Sequence, residues 1–101
     1  MAIIEKTISV EIQHKDNNKT GMFFIEKEGK KVAELIYIWS GNDRIIIEHT
    51  QVDDILKGKG LGKELVTKTV EFAREKGIKI VPICSFAKSI FDRTKAYEDV
   101  L

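Results

Sequence analysis

Three places in this sequence combine residue types that could do chemistry. The first is Leu56-Lys57-Gly58-Lys59-Gly60-Leu61-Gly62-Lys63, where three glycines alternate with other residues and three lysines stand around them. Glycine lets the backbone enter conformations closed to other residues and removes side chains that would block a ligand. Successive N–H groups can then converge on an anion, and a helix starting behind them adds its positive dipole end. The chemistry offered is phosphate binding. The second place is Cys84, the only cysteine, just ahead of a segment with helical periodicity. A helix N-terminus lowers a thiol pKa and favours the nucleophilic thiolate; equally, a lone cysteine can be a small buried hydrophobe. The third is His49, on a strand-like run, which offers a base near neutral pH or a surface strand histidine.

Two common phosphate motifs fail on spacing. A P-loop needs two glycines five apart, then Lys and Ser or Thr. Gly58 and Gly62 are four apart, and Lys63 is followed by Glu64. The dinucleotide fingerprint needs a third glycine three residues after the second, and counting from Gly60 that position is Lys63.

The elements that must position these groups can be read in order. Thr7 to His14 alternates apolar and polar residues, the period of a half-buried strand. Asp16 to Gly21 is a turn cluster, Met22 to Glu26 a second strand, and Lys27 to Lys30 a hairpin connection. Val32 to Trp39 and Arg44 to Val52 are the third and fourth strands, joined by the turn Ser40 to Asp43. Short connections argue for a meander. Behind the glycines the period changes: Leu61, Leu65, Val66, Thr69, Val70 and Ala73 form a helix face that runs to Lys76, with Gly77 as its stop. Ile78 to Val81 is a short strand closed by Pro82, parallel to the fourth because a helix crosses between them. Ser85 to about Arg93 is a shorter helix, and Thr94 to Leu101 a further helical turn.

Composition narrows the function classes. A chain of 101 residues with 43% hydrophobic and 33% charged residues fits one domain with one modest core. The net charge is +1, but residues 57–79 carry +4 and residues 1–56 carry −3. The basic excess sits on the glycine loop and the helix behind it, which suits a polyphosphate. Nucleic acid is not expected, since the basic patch is small and no aromatics interleave it. No apolar run is long enough to span a bilayer, the first residues have no signal-peptide pattern, and a single cysteine excludes an internal disulfide. A cytoplasmic location is the expectation. Two histidines without ligand spacing, and Asp53-Asp54 with few companions, give no metal site.

The chain resembles the small GCN5-related N-acetyltransferase-like proteins that consist of little more than an acetyl-CoA core. The likeness covers nearly the whole chain. It rests on His49-Thr50-Gln51-Val52; Gly58-Lys59-Gly60-Leu61-Gly62 with Leu65-Val66 behind; Ala73-Arg74; Gly77-Ile78-Lys79; and Val81-Pro82-Ile83-Cys84-Ser85-Phe86. The family's pyrophosphate loop reads Gln or Arg, two residues, Gly, one residue, Gly or Ala. Gly60 and Gly62 match it; Lys57 departs from Gln or Arg but keeps the charge. The tail departs too, with Thr94-Lys95-Ala96-Tyr97 where relatives often have a His-Pro-Glu-Tyr-like segment, although Tyr97 and Asp99 remain.

The resemblance implies a single α/β (α+β) domain over residues 1–101, an antiparallel meander followed by a βαβ crossover whose fourth and fifth strands splay apart. Pantetheine would pair with the fourth strand around Thr50 and Val52. The pyrophosphate would rest on Gly58, Lys59, Gly60, Leu61, Gly62 and Lys63, with Lys57 beside them. Cys84 and His49 stand where the family's suspected active-site residues lie. The implied function is acetyl-CoA-dependent transfer of an acetyl group to an amine on a small molecule or peptide, without metal or membrane. The alternative is a CoA-binding or protein-interaction module without catalysis, because so short a chain leaves little room for acceptor-binding loops. An exposed edge strand near residues 7–14 leaves a monomer or a weak homodimer open.

Overall fold

The computed structural model describes residues 11–56 and 58–101. Residues 7–10 of the expected first strand, and Lys57, lie outside the described residues. The strands are β1 (Gln13–Asp16), β2 (Thr20–Lys27), β3 (Lys30–Trp39), β4 (Arg44–Val52) and β5 (Lys79–Pro82). The helices are α1 (Leu61–Lys76) and α2 (Ser85–Arg93), with 3-10 turns at Asp54–Leu56 and Lys95–Val100. The sheet order is β1-β2-β3-β4-β5, antiparallel from β1 to β4 and parallel between β4 and β5. The meander and the crossover are therefore as the sequence predicts.

Periodicity explains which faces are buried. On β3, Leu35 and Tyr37 are buried and their neighbours Glu34 and Ile36 only partly so. Ile45 and Ile47 on β4 face the same core, and α1 lays Leu65, Val66, Val70 and Ala73 onto it. Thr69 is the one buried polar residue among those described, and its hydroxyl donates to the Leu65 carbonyl at 2.8 Å. α1 ends where Gly77 turns left-handed (φ 70°) and the Ile78 amide folds back onto the Ala73 carbonyl at 3.0 Å. The tail is attached mainly by burial of Val100 and by the Tyr97 hydroxyl, 2.7 Å from that of Thr67 on α1. The Arg74–Asp99 pair (2.8 Å) is solvent-exposed, so water screens it.

The first strand differs from its expected position. It runs to Asp16, a residue the sequence pattern places in the turn, and the turn shrinks to Asn17–Lys19. The Asn17 side chain accepts from the amides of Lys19 and Thr20, both at 2.9 Å, and Asn18 takes φ 72°. Asp16 is drawn into the sheet by two buried or half-buried aromatics on β3. The Tyr37 hydroxyl donates to Asp16 Oδ2 at 2.5 Å, and Trp39 Nε1 donates to the same oxygen at 2.9 Å.

His14, at the exposed edge strand, joins this cluster. Its Nε2 lies 2.7 Å from the Tyr37 hydroxyl and its ring stacks on Phe23 with centroids 4.1 Å apart. Tyr37 has one proton and gives it to Asp16, so His14 Nε2 is the donor in this pair. Burial lowers the His14 pKa, with Asp16 pulling up and Lys76 pushing down. Burial raises the Asp16 pKa, but the bonds from Tyr37, Asn18 and Trp39 outweigh it and leave the carboxyl below its usual range. Both shifts act in one direction. Acidification weakens this corner as pH falls past the ordinary histidine value of 6.5, and again as it falls through the depressed pKa of Asp16.

Gly21 pairs with Tyr37 across β2 and β3, and a β-carbon there would lie 2.1 Å from the Tyr37 ring. Gly21→Ala should therefore displace the ring and its hydroxyl network, at a cost of about 1–3 kcal/mol. A lowered urea midpoint checks this; an unchanged midpoint would mean the ring can shift freely.

Candidate functional site

The site begins where two strands part. β4 and β5 pair from Arg44↔Lys79 to Ile47↔Pro82 and no further. Pro82 has no N–H to give to a ladder. The next two amides, Ile83 and Cys84, both converge on the Ile47 carbonyl at 3.2 and 3.1 Å. On the other strand, Ile36 pairs with His49 and Tyr37 with Ile47, so Glu48 is an extra residue, a bulge in β4. A bulge bends its strand and increases the twist. β4 thus continues through Glu48–Val52 alongside β3 alone.

The bulge also shifts the alternation. The Asp53 amide donates to the Val32 carbonyl on β3, so the backbone groups of Thr50 and Val52 fall on the opposite side, toward the opening. Their side chains point with Leu35, which pairs with Thr50, to the face that α1 covers. His49 and Gln51 point to the other face.

The glycine loop closes one end of this opening. Gly58 and Gly60 hold φ 85° and 78°, which costs a residue with a β-carbon roughly 1–2 kcal/mol. Gly60 is the N-cap of α1, its carbonyl accepting from Glu64 at 3.0 Å with no side-chain cap. The amides of Leu61, Gly62 and Lys63 therefore have no intrahelical acceptor, and they stand at the positive end of a 16-residue helix. Gly62 has a second role: a β-carbon there would lie 2.6 Å from the Phe86 ring on α2. The absent side chain lets the starts of α1 and α2 approach.

Between these parts runs a groove of about 670 Å³. Thr50 and Val52 line it from β4, Gly58 and Gly60 from the loop, Gly62 and Lys63 from the first turn of α1, and Phe86, Ile90 and Arg93 from α2. The last three recur at the i, i+4, i+7 spacing of one helix face.

Cys84 sits at the N-cap of α2, partly buried, its thiol 3.5 Å from the Thr50 hydroxyl. The thiol thus spans the parting strands. Burial pushes its pKa up, but the Thr50 hydroxyl and the amides of Ala87, Phe86 and Thr50 overcome that and bring it below the usual value. No side-chain hydrogen bond closes onto the amides of α2 while the group is a thiol; those amides act on the thiolate.

The sequence-derived residues divide accordingly. Thr50, Val52, Gly58, Gly60, Leu61, Gly62 and Lys63 line one groove, with Lys59 between its glycines and Cys84 bonded to Thr50. Lys57 lies outside the described residues. His49 is not brought to Cys84: it is exposed on the opposite face of β4, 3.0 Å from the Gln51 side-chain oxygen. The α2 wall was not singled out in the sequence. Its signal was the spacing of Phe86, Ile90 and Arg93, visible only once Ser85 is accepted as the helix start. Among the described residues, no group of histidine, cysteine or acidic residues could hold a metal ion, and no helix is long and apolar enough to cross a membrane.

Comparison with known proteins gives the same outline. Residues 22–100 match the family model described as GCN5-related N-acetyl-transferase. A GCN5-like protein of Staphylococcus aureus, solved in solution by NMR, is 40% identical with a TM-score of 0.72, over 92% of this chain and 89% of that one. The aminoglycoside acetyltransferase meta-AAC0020, from an uncultured soil metagenomic sample, is 27% identical with a TM-score of 0.63, over 79% of this chain and 59% of that one. Protein NATD1 of Gallus gallus is 25% identical over 85 residues, 83% of this chain and 76% of that protein.

The Thr50–Cys84 contact is testable without a substrate. Alkylation of Cys84 by iodoacetamide, followed against pH, should titrate below the ordinary thiol value of 9.0. Thr50→Val should move the midpoint up. An unmoved midpoint would mean the hydroxyl does not stabilise the thiolate.

Proposed function

Because the chain belongs to the GCN5-related N-acetyltransferase family, we propose that it transfers the acetyl group of acetyl-CoA to an amine on a small molecule or peptide. The observation that carries this is the parting of β4 and β5 beyond Ile47, which opens onto a groove ending at three unpaired amides of α1. An extended pantetheine has amides of its own to pair with the backbone of Thr50 and Val52. The pyrophosphate is anionic and fits Gly58 to Lys63, with the positive charge of Lys59 between the glycines and that of Lys57 just before them in the sequence. In that orientation the thioester lies toward Cys84.

In the direct reaction, the amine nitrogen bonds to the acetyl carbon and the carbon–sulfur bond to CoA breaks. The amine gives up a proton, and the CoA thiolate takes one. Cys84 supplies that proton and recovers it from solvent. His49 faces the side of the sheet away from α1, so it serves as base for an acceptor arriving from that side. A second route is favoured by the depressed thiol pKa. Cys84, as thiolate, takes the acetyl group from CoA and passes it to the amine.

Calorimetric titration with acetyl-CoA tests the binding step. The native chain should bind in the micromolar range, about −8 kcal/mol, and Gly60→Glu, which strains the loop and sets a carboxylate among the amides, should bind at least tenfold more weakly. No binding by the folded native chain would sink the proposal. Cys84→Ala and His49→Ala should keep the affinity and lose turnover in an amine-acceptor screen. Binding with no turnover for any amine would point instead to a CoA-binding module. Mass spectrometry after acetyl-CoA alone separates the two routes, since only the second leaves an acetyl group on Cys84.

A further inference from the structure

Arg93 ends the wall that α2 contributes to the groove. Its Nε donates to the Ser89 carbonyl one turn back, at 3.2 Å. That bond steadies the guanidinium and leaves its two terminal nitrogens without an acceptor among the described residues. Elsewhere on the two helices Lys68 pairs with Glu71, Arg74 with Asp99 and Lys88 with Asp92, while Lys76 lies over the Phe72 ring. Lys63 and Arg93, the two cations among the described lining residues, have no carboxylate partner among the described residues. Asp54 is the only carboxylate among the lining residues. A free, oriented arginine fork at the edge of a cavity is suited to a phosphate, which it can grip through two parallel bonds.

Position along α2 says which phosphate. Phe86 touches Gly62, beside the amides offered to the pyrophosphate. Arg93 follows seven residues later on the same helix, roughly 10 Å farther from Cys84. Resting on the acetyl-CoA proposal, we infer that Arg93 recognises the phosphomonoester on the ribose at the nucleotide end of CoA. Arg93 thereby makes the site selective for CoA over its dephosphorylated form. A phosphomonoester is nearly dianionic at neutral pH and has three acceptor oxygens, so it gains more from the fork than a pyrophosphate diester would.

The test compares the dissociation constants of CoA and dephospho-CoA for the native chain, Arg93→Gln and Lys88→Gln. Lys88 is on the same helix, paired with Asp92, and does not line the groove; its replacement controls for net charge. The native chain should prefer CoA by roughly tenfold, the factor expected of a charge-assisted bond at a half-open site. Arg93→Gln should abolish that preference by weakening CoA alone, while Lys88→Gln should keep it. Equal affinity of the native chain for both ligands would overturn the inference and leave the acetyl-CoA proposal intact. So would a loss in Arg93→Gln that falls on both ligands alike. Failure of the native chain to bind either ligand would instead defeat the acetyl-CoA proposal itself.

Discussion

The parting of β4 from β5 is the constraint on which the rest of the structure depends. Backbone polar groups in a sheet interior are normally paired, and one left buried without a partner costs about 1–3 kcal/mol. Two local features let the strands separate without that cost. Pro82 removes a donor at the last paired position, and the amides of Ile83 and Cys84 share the Ile47 carbonyl as a closing knot. The bulge at Glu48 then turns β4 so that it continues against β3 alone. The groups of Thr50 and Val52 that lose their neighbour face a groove rather than a sealed core, and so remain open to water or to an extended ligand.

The two ends of the sheet are built differently as a result. Around β1 and the start of β2, the sheet is closed by Tyr37, Trp39, Phe23, Phe72 and His14, with ring centroids about 4–6 Å apart and Asp16 holding two of the ring donors. Around β4 and β5 it is open, and the helices α1 and α2 start there side by side. Gly21 and Gly62 are the matching omissions: one admits the Tyr37 ring, the other the Phe86 ring. A rigid corner and an open edge are thus joined by the continuous strands β3 and β4.

Much of this is legible in the residues themselves. The alternation in Arg44 to Val52, the three glycines and the face from Leu61 to Ala73 are local patterns, and they define the strand, the loop and α1 to within a residue or two. What stays hidden depends on register. The bulge at Glu48 has no glycine or proline to announce it, and it alone decides that Thr50 and Val52, not His49, turn toward the groove. Asp16 reads as a turn former because its partners, Tyr37 and Trp39, lie more than twenty residues away. Arg93 reads as an ordinary charge at the end of a helix; only the packing of α2 against Gly62 gives its free fork a place in the groove.

Trp39 carries an experimental consequence. It is the chain's single tryptophan, and its indole is bonded to Asp16 and packed edge-on to Tyr37 and Phe72, at the closed end of the sheet. Intrinsic fluorescence will therefore report the integrity of that corner and stay nearly blind to occupancy of the groove. A silent emission spectrum on adding a nucleotide thioester would be uninformative about binding, while a shift in it would signal a change carried along β3 and β4 from one end of the molecule to the other.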